Sequence, residues 1–239
     1  AQVAVCDLSK PVSGTMIVSK TGAAPKHPTS FKISGNKDKL IVEVFCTQKS
    51  PLKANITKRD DNVWNDDCVE VIIANSLKRD AKLYHFIVNS NNALYDAQNS
   101  NPAWNCKNFK SSAVKKANGF QVRMEIPVKE FALDKFFRIN VGREQISDKE
   151  ITSWNKAPNG FPNITGMETE ICCPDGTYNG RPVKAGVYYV VVIAKGADGI
   201  EYEFSAVFDL DLSDFTCQEK LEFAGSSHER ITREIYSKK

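Results

Sequence analysis

Apolar residues in this chain recur at every second position in short runs, and no stretch holds the spacing of a long amphipathic helix. Leu40, Val42 and Val44 mark one face of a strand; Val69, Val71 and Ile73 mark another. The same alternation runs through Tyr84, Phe86 and Val88, through Phe120, Val122, Met124 and Ile126, and through Phe137, Ile139 and Val141. Turn signals separate the runs: Ser34-Gly35-Asn36, Asn89-Ser90-Asn91-Asn92, Asn118-Gly119 and Asn159-Gly160. Many short strands with such punctuation predict an all-β chain, an antiparallel two-sheet β-sandwich of immunoglobulin-like or jelly-roll-like kind. Pro127 to Phe131 reads as a short turn or single helical turn, since proline is tolerated where such a turn begins.

The texture changes at Cys172-Cys173-Pro174-Asp175-Gly176. Beyond it, Gly186–Ile193 and Ile200–Phe208 predict a hairpin around Lys195 to Gly199. A lone hairpin is unstable in water, so it must pack on something. The expected organisation is a sandwich over 1–174 and, over 175–239, a small β appendage or an extension of the sandwich, the appendage being favoured. The charged tail from Ser226 to Lys239 reads as a short surface helix or a frayed end.

Composition narrows the functional classes. The 239 residues are 41% hydrophobic and 26% charged, an ordinary globular mixture with a sizeable core. A formal charge of +3 from 32 basic and 29 acidic residues, with no basic stripe, argues against nucleic acid as partner. No apolar run approaches the roughly 20 residues of a membrane-spanning helix. Seven cysteines leave an odd one, and no paired C-x-x-C spacing points to zinc. Cys46 and Cys68 fall at strand positions and read as buried thiols.

The stretch Trp64-Asn65-Asp66-Asp67-Cys68-Val69-Glu70 joins an aromatic ring and several carboxylates to the start of a strand. Val69, Val71 and Ile73 face one way; Asp66, Cys68 and Glu70 face the other. A pyranose has apolar C–H faces that stack on an aromatic ring and a hydroxyl rim that suits carboxylate, amide or guanidinium partners. Trp64 is either a core anchor or an exposed ring, and its place at a loop-to-strand boundary favours exposure. Trp154 stands between Ser153 and Asn155 in a polar loop; Trp104 either lines a site or caps the sandwich. Arg143 shares parity with Ile139 and Val141, so it points inward in a regular strand and needs a carboxylate such as Glu70 or Glu125. His85 lies on the same strand face as Asn89.

Residues from about Leu40 to Cys172 resemble the family 9 carbohydrate-binding modules and the wider DOMON-like β-sandwich group. The shared landmarks are Val63 to Ile72, Tyr84 to Asn89, Met124-Glu125-Ile126-Pro127, Ile139 to Arg143, and Thr152-Ser153-Trp154. The resemblance implies a non-catalytic module that grips a terminal sugar between two tryptophans, here Trp64 and Trp154, with Glu70 accepting from a hydroxyl. Asn89, Arg143 and Gln145 would be further polar partners, with Asp66, His85 and Trp104 as additional candidates. Calcium is a further expectation, because loop carboxylates suit hard cations. Asp60, Asp61 and Asp67 are its candidate ligands, against solvated loop charge or sugar contacts. An oligo- or polysaccharide partner and an exported, extracellular or periplasmic setting within a larger glycan-handling system follow from the same resemblance.

Three other classes stay open. A glycosidase would need two carboxyls flanking a bond, yet Asp66 and Glu70 share one side of one strand. A haem-binding relative would need His85 with Met124 or Met167 as axial ligands. A structural or protein-interaction module would keep the fold without the sugar site.

Overall fold

The computed structural model describes residues 5–78, 80–160 and 167–177 with their side chains, and beyond these the backbone of 178, 181–182, 188–195, 201–208, 215–223 and 231–238. The described chain is all β, with two single-turn 3-10 segments, Val63–Asn65 and Val128–Phe131. Its first strands are β1 (Val5–Asp7), β2 (Val12–Thr15), β3 (Ile17–Val18), β4 (Thr29–Gly35), β5 (Lys39–Thr47), β6 (Cys68–Ala74) and β7 (Leu83–Asn89). They are followed by β8 (Leu94–Gln98), β9 (Lys110–Lys116), β10 (Gly119–Pro127), β11 (Phe137–Gln145), β12 (Glu150–Ser153) and β13 (Glu170–Cys173). Two sheets result. One runs β1-β13-β11-β6-β7-β8, with β12 joined to β11 and β3 to β12; the other runs β2-β4-β5-β10-β9. The second is antiparallel throughout, whereas the first is mixed, because β1 lies parallel to β13.

Alternation dictates the core. Val69, Val71, Ile73, Tyr84, Phe86, Val88, Phe137, Ile139 and Val141 from the mixed sheet meet Phe31, Ile33, Leu40, Val42, Val44, Phe120, Val122, Met124 and Ile126 from the antiparallel sheet in one buried cluster. Each such side chain contributes roughly 1.5–3 kcal/mol when removed from water. At the edge of the antiparallel sheet, β9 is mostly exposed and carries Lys110, Lys115 and Lys116, which discourages further strand pairing.

In the mixed sheet β6 is buried on both faces. Its outer face is covered by the segment preceding it: Val63 packs there with Cys68, Ile87, Ala93, Tyr95 and Ala97, and Ile56 joins them. Asp66 fixes that segment, its Oδ2 accepting from the backbone N–H of Asn55 (2.9 Å) and Ile56 (2.7 Å) and from Asn89 Nδ2 (2.9 Å). Asp67 does the same on the other side of the strand start. Its Oδ2 accepts from Lys53 N–H (2.7 Å) and Gln48 Nε2 (2.9 Å), and its Oδ1 from Ile146 N–H (2.9 Å). A buried carboxylate with several such donors is the stable arrangement.

Past the sandwich, β14 (Thr177–Tyr178) pairs with β15 (Arg181–Pro182), β16 (Tyr188–Lys195) with β17 (Glu201–Phe208), and β18 (Phe215–Phe223) with β19 (Ile231–Lys238). The β16–β17 ladder is the expected hairpin; its connecting residues 196–200 lie outside the described ones. The tail is neither helical nor frayed over 231–238. Ile231, Thr232, Ile235 and Tyr236 are strand formers, and pairing with β18 overrides the local charge. The cysteines whose side chains are described are free thiols, and all but Cys6 are buried. No helix of the described residues is long and apolar enough to cross a membrane.

Candidate functional site

On the outer face of the mixed sheet, β6, β7, β8 and β11 line a cavity of about 240 Å³. It is lined by Trp64, Glu70, Ile72, His85, Ile87, Tyr95 and Glu144, and also by Leu83, Tyr84 and Ser100. Pockets for drug-sized ligands occupy about 300–1,000 Å³, so this one suits a single small ring. Strand register builds it. Glu70 is level with Ile87, which is level with Tyr95; one step along, Ile72 is level with His85.

Trp64 stands over this floor because its neighbours hold the turn on either side. Val63 is fully buried beneath the 3-10 turn, and Asp66 ties the end of that turn to Asn55 and Ile56. The Trp64 ring, 39% exposed, meets Tyr95 edge-on with centroids 5.1 Å apart and planes at 82°. A hydrogen-bonding row crosses the floor below it. His85 Nε2 lies 2.7 Å from Glu70 Oε2, and the Glu144 carboxyl bonds to that of Glu70. Glu70 is almost wholly buried, and Glu144 is half-buried. Burial, then the neighbouring Glu70 charge and hydrogen bond, pushes Glu144 up to about 8, so it carries a proton at neutral pH. Burial also holds the Tyr95 phenol above its ordinary value.

The expected residues divide between two faces of the sheet. Trp64, Glu70 and His85 come together in the cavity. Asn89 and Asp66 share that face as buried anchors: Asn89 Nδ2 donates to Ile56 O (2.8 Å) and Asp66, and its Oδ1 accepts from Ala93 N–H (2.8 Å) and Asn91 N–H (3.0 Å). Arg143, Gln145, Trp154 and Trp104 lie on the opposite side. Trp154 packs on the core with its ring 4.8 Å from that of Phe31, continuing the inward parity through its N–H to Val141 O (2.8 Å). Trp104 caps the sandwich against Tyr84 (5.0 Å) and Phe86 (6.2 Å).

Arg143 is fully buried, and neutral acceptors replace the expected carboxylate. It donates to Thr29 Oγ1 (2.7 Å), Thr47 O (2.9 Å) and Gln48 Oε1 (2.6 Å), and lies over the Phe120 ring at 5.5 Å. Burial lowers its pKa. Gln145 is buried and donates to Glu150 Oε1 at 3.2 Å. The paired-tryptophan clamp over Trp64 and Trp154 is therefore not formed by these two rings.

Asp60, Asp61 and Asp67 are not gathered at one point. Asp67 is saturated by protein donors, Asp61 accepts from Asn62 N–H (2.8 Å), and Asp60 pairs with Arg59 Nε at 3.4 Å. Among the described residues no three His, Cys, Asp or Glu side chains could hold a metal ion. Of the two haem pairings, His85 with Met124 is divided between faces: Met124 is in the inter-sheet core, whereas His85 is on the outer face. Met167 is on the outer side, packed with Ile72 and Ala157. Sequence reasoning missed Glu144 and Tyr95. Strand parity held the signal for Glu144, since the alternation that turns Arg143 inward turns its neighbour out towards Glu70.

No protein-family model and no curated protein matches the sequence. Solved structures do. A Bacteroides uniformis protein to which carbohydrate binding is ascribed aligns with TM-score 0.53 and 18% identity over 67% of this chain and 86% of its own. A family 9 carbohydrate-binding module from Caldicellulosiruptor kristjanssonii in complex with cellotriose aligns with TM-score 0.52 and 11% identity, over 77% of this chain and 100% of that one. Another from the same organism, in complex with glucose, aligns with TM-score 0.51 and 11% identity, over 75% and 98%. The chain shares the β-sandwich fold of these modules.

Proposed function

We propose that the chain is a non-catalytic carbohydrate-binding module that seats one sugar ring in the outer-face cavity, stacked on Trp64 and hydrogen-bonded by Glu70, His85 and Glu144. The observation that carries this reading is the junction of a half-exposed indole with a row of buried and half-buried polar groups in a space of one-ring size. An aromatic wall takes the apolar C–H face of a sugar, and planar acceptors and an imidazole take its hydroxyls. The fold shared with modules solved with cellotriose and glucose supports it. Non-catalysis is favoured by the carboxyls themselves. Glu70 and Glu144 share one wall of the cavity on adjacent strands, as charge and hydrogen-bond partners, whereas the two carboxyls of a glycosidase flank the scissile bond, about 5 Å or more apart.

By this reading the partner is an oligo- or polysaccharide, the working place is extracellular or periplasmic, and the strands beyond 174 form an appended β unit of a larger glycan-handling protein. Intrinsic tryptophan fluorescence titrated with mono- and oligosaccharides tests the site. A saturable change that disappears in Trp64→Ala is expected; no response across a broad glycan panel would refute it.

A further inference from the structure

Among the described residues the charged groups lining the cavity are Glu70, Glu144 and His85, with neither lysine nor arginine beside them. The titratable groups facing Glu144 are Glu70 and Cys68 from β6, with His85 and Tyr95 beyond Glu70 on β7 and β8. The His85 imidazole is already committed to Glu70, at 2.7 Å. Among the described residues Glu144 thus meets a second carboxyl and no lysine or arginine, behind an aromatic and aliphatic wall.

We propose that the cavity selects a sugar bearing a free amine over its neutral parent, with Glu144 as the specificity-determining residue. This rests on the carbohydrate-binding reading above. Two carboxyls in contact need either a shared proton or a cation between them. A protonated amine offers three N–H donors and no acceptor, so it can replace that proton and donate a charge-assisted bond to each carboxylate. A neutral hydroxyl leaves the proton where it is, and an anionic sugar substituent faces two acceptors. Burial and the neighbouring Glu70 carboxyl raise the Glu144 pKa, in keeping with a pair that shares a proton until a cation takes its place. The balance is simple: one ammonium enters, and one proton leaves Glu144 for solvent.

Isothermal titration of the full chain at pH 7 tests this with glucosamine, galactosamine and mannosamine, each beside its parent hexose and its N-acetyl derivative. Two buffers of different ionisation enthalpy report the protons exchanged. At least one amine should bind about tenfold or more tighter than its parent. Its binding should release close to one proton, and acetylation should remove the gain. In Glu144→Gln the ratio of amine to parent affinity should fall towards one. Parent hexoses binding as tightly as the amines would overturn the selectivity and leave the sugar site standing. Persistence of the ratio in Glu144→Gln would overturn the role of Glu144. Absence of binding by every sugar would overturn the sugar site itself, and the selectivity with it.

Discussion

Trp64 and Trp154 occupy opposite faces of the same sheet: one stands edge-on to Tyr95 beside the cavity, the other packs against Phe31 between the sheets. Their alanine variants should therefore fail in different ways. Trp154→Ala should lower stability by about 3 kcal/mol, seen as a melting point reduced by roughly 6–12 °C. Trp64→Ala should fold with a loss within about 1 kcal/mol yet abolish sugar-dependent fluorescence. Equal stability losses in the two variants would contradict the assignment of faces.

Arg143 holds three neutral acceptors across the two sheets, from β4, the end of β5 and Gln48. Arg143→Met strands Thr29 and Gln48 as buried polar groups, so a loss of about 3 kcal/mol is expected. Arg143→Lys should recover less than half of it, because one ammonium cannot reproduce the planar fork. Urea midpoints at constant slope give both values.

Asp67 is filled by donors from Gln48, Lys53 and Ile146. Its replacement by alanine should cost about 2–4 kcal/mol by freeing the segment before β6. Added calcium, or EDTA, should leave the melting point of the parent unchanged. A calcium-dependent rise would show that Asp60, Asp61 and Asp67 rearrange around an ion.

The raised Glu144 pKa sets a direction for pH dependence. The folded state binds the proton more tightly than the unfolded chain, whose carboxyl keeps an ordinary value near 4.5. The stabilisation is complete below that value and disappears as pH rises to about 8. Thermal melts should therefore fall between pH 5 and 8 in the parent, and Glu144→Gln should flatten that slope, with a gain of roughly 2–4 °C at pH 8.

Among the described residues every strand of the two sheets comes from 5–173. A fragment ending at 178 should accordingly fold cooperatively and keep the binding of the full chain. Loss of its near-ultraviolet circular dichroism would instead make the later strands an extension of the sandwich.

The strand cores were legible because alternation is enforced by the pleat: Val69 to Ile73 and Phe137 to Val141 stand where their period places them. Parity also turned Arg143 inward, while likeness to sugar-binding modules assigned it to the site. The physical reading of that position was the better one. Trp154 misled through its polar neighbours. Ser153 turns its hydroxyl onto Asn155 O (2.6 Å), so local polarity was satisfied within the chain and did not signal exposure. The strands β1 and β3, only three and two residues long, carry too little pattern to be read, and exist because partners dock them.

The parallel pairing of β1 with β13 has a consequence for assembly in time. Val5 sits beside Ile171, nearly the whole sandwich away in sequence, and β3 likewise waits for β12. A chain leaving the ribosome holds these first strands unpaired until the last ones emerge. The antiparallel sheet, whose strands β4 and β5 adjoin in sequence, is free to form first. Closure of the mixed sheet is thus the late step, and the slow phase of refolding should report on Cys6 and Asp7 finding Cys172 and Cys173.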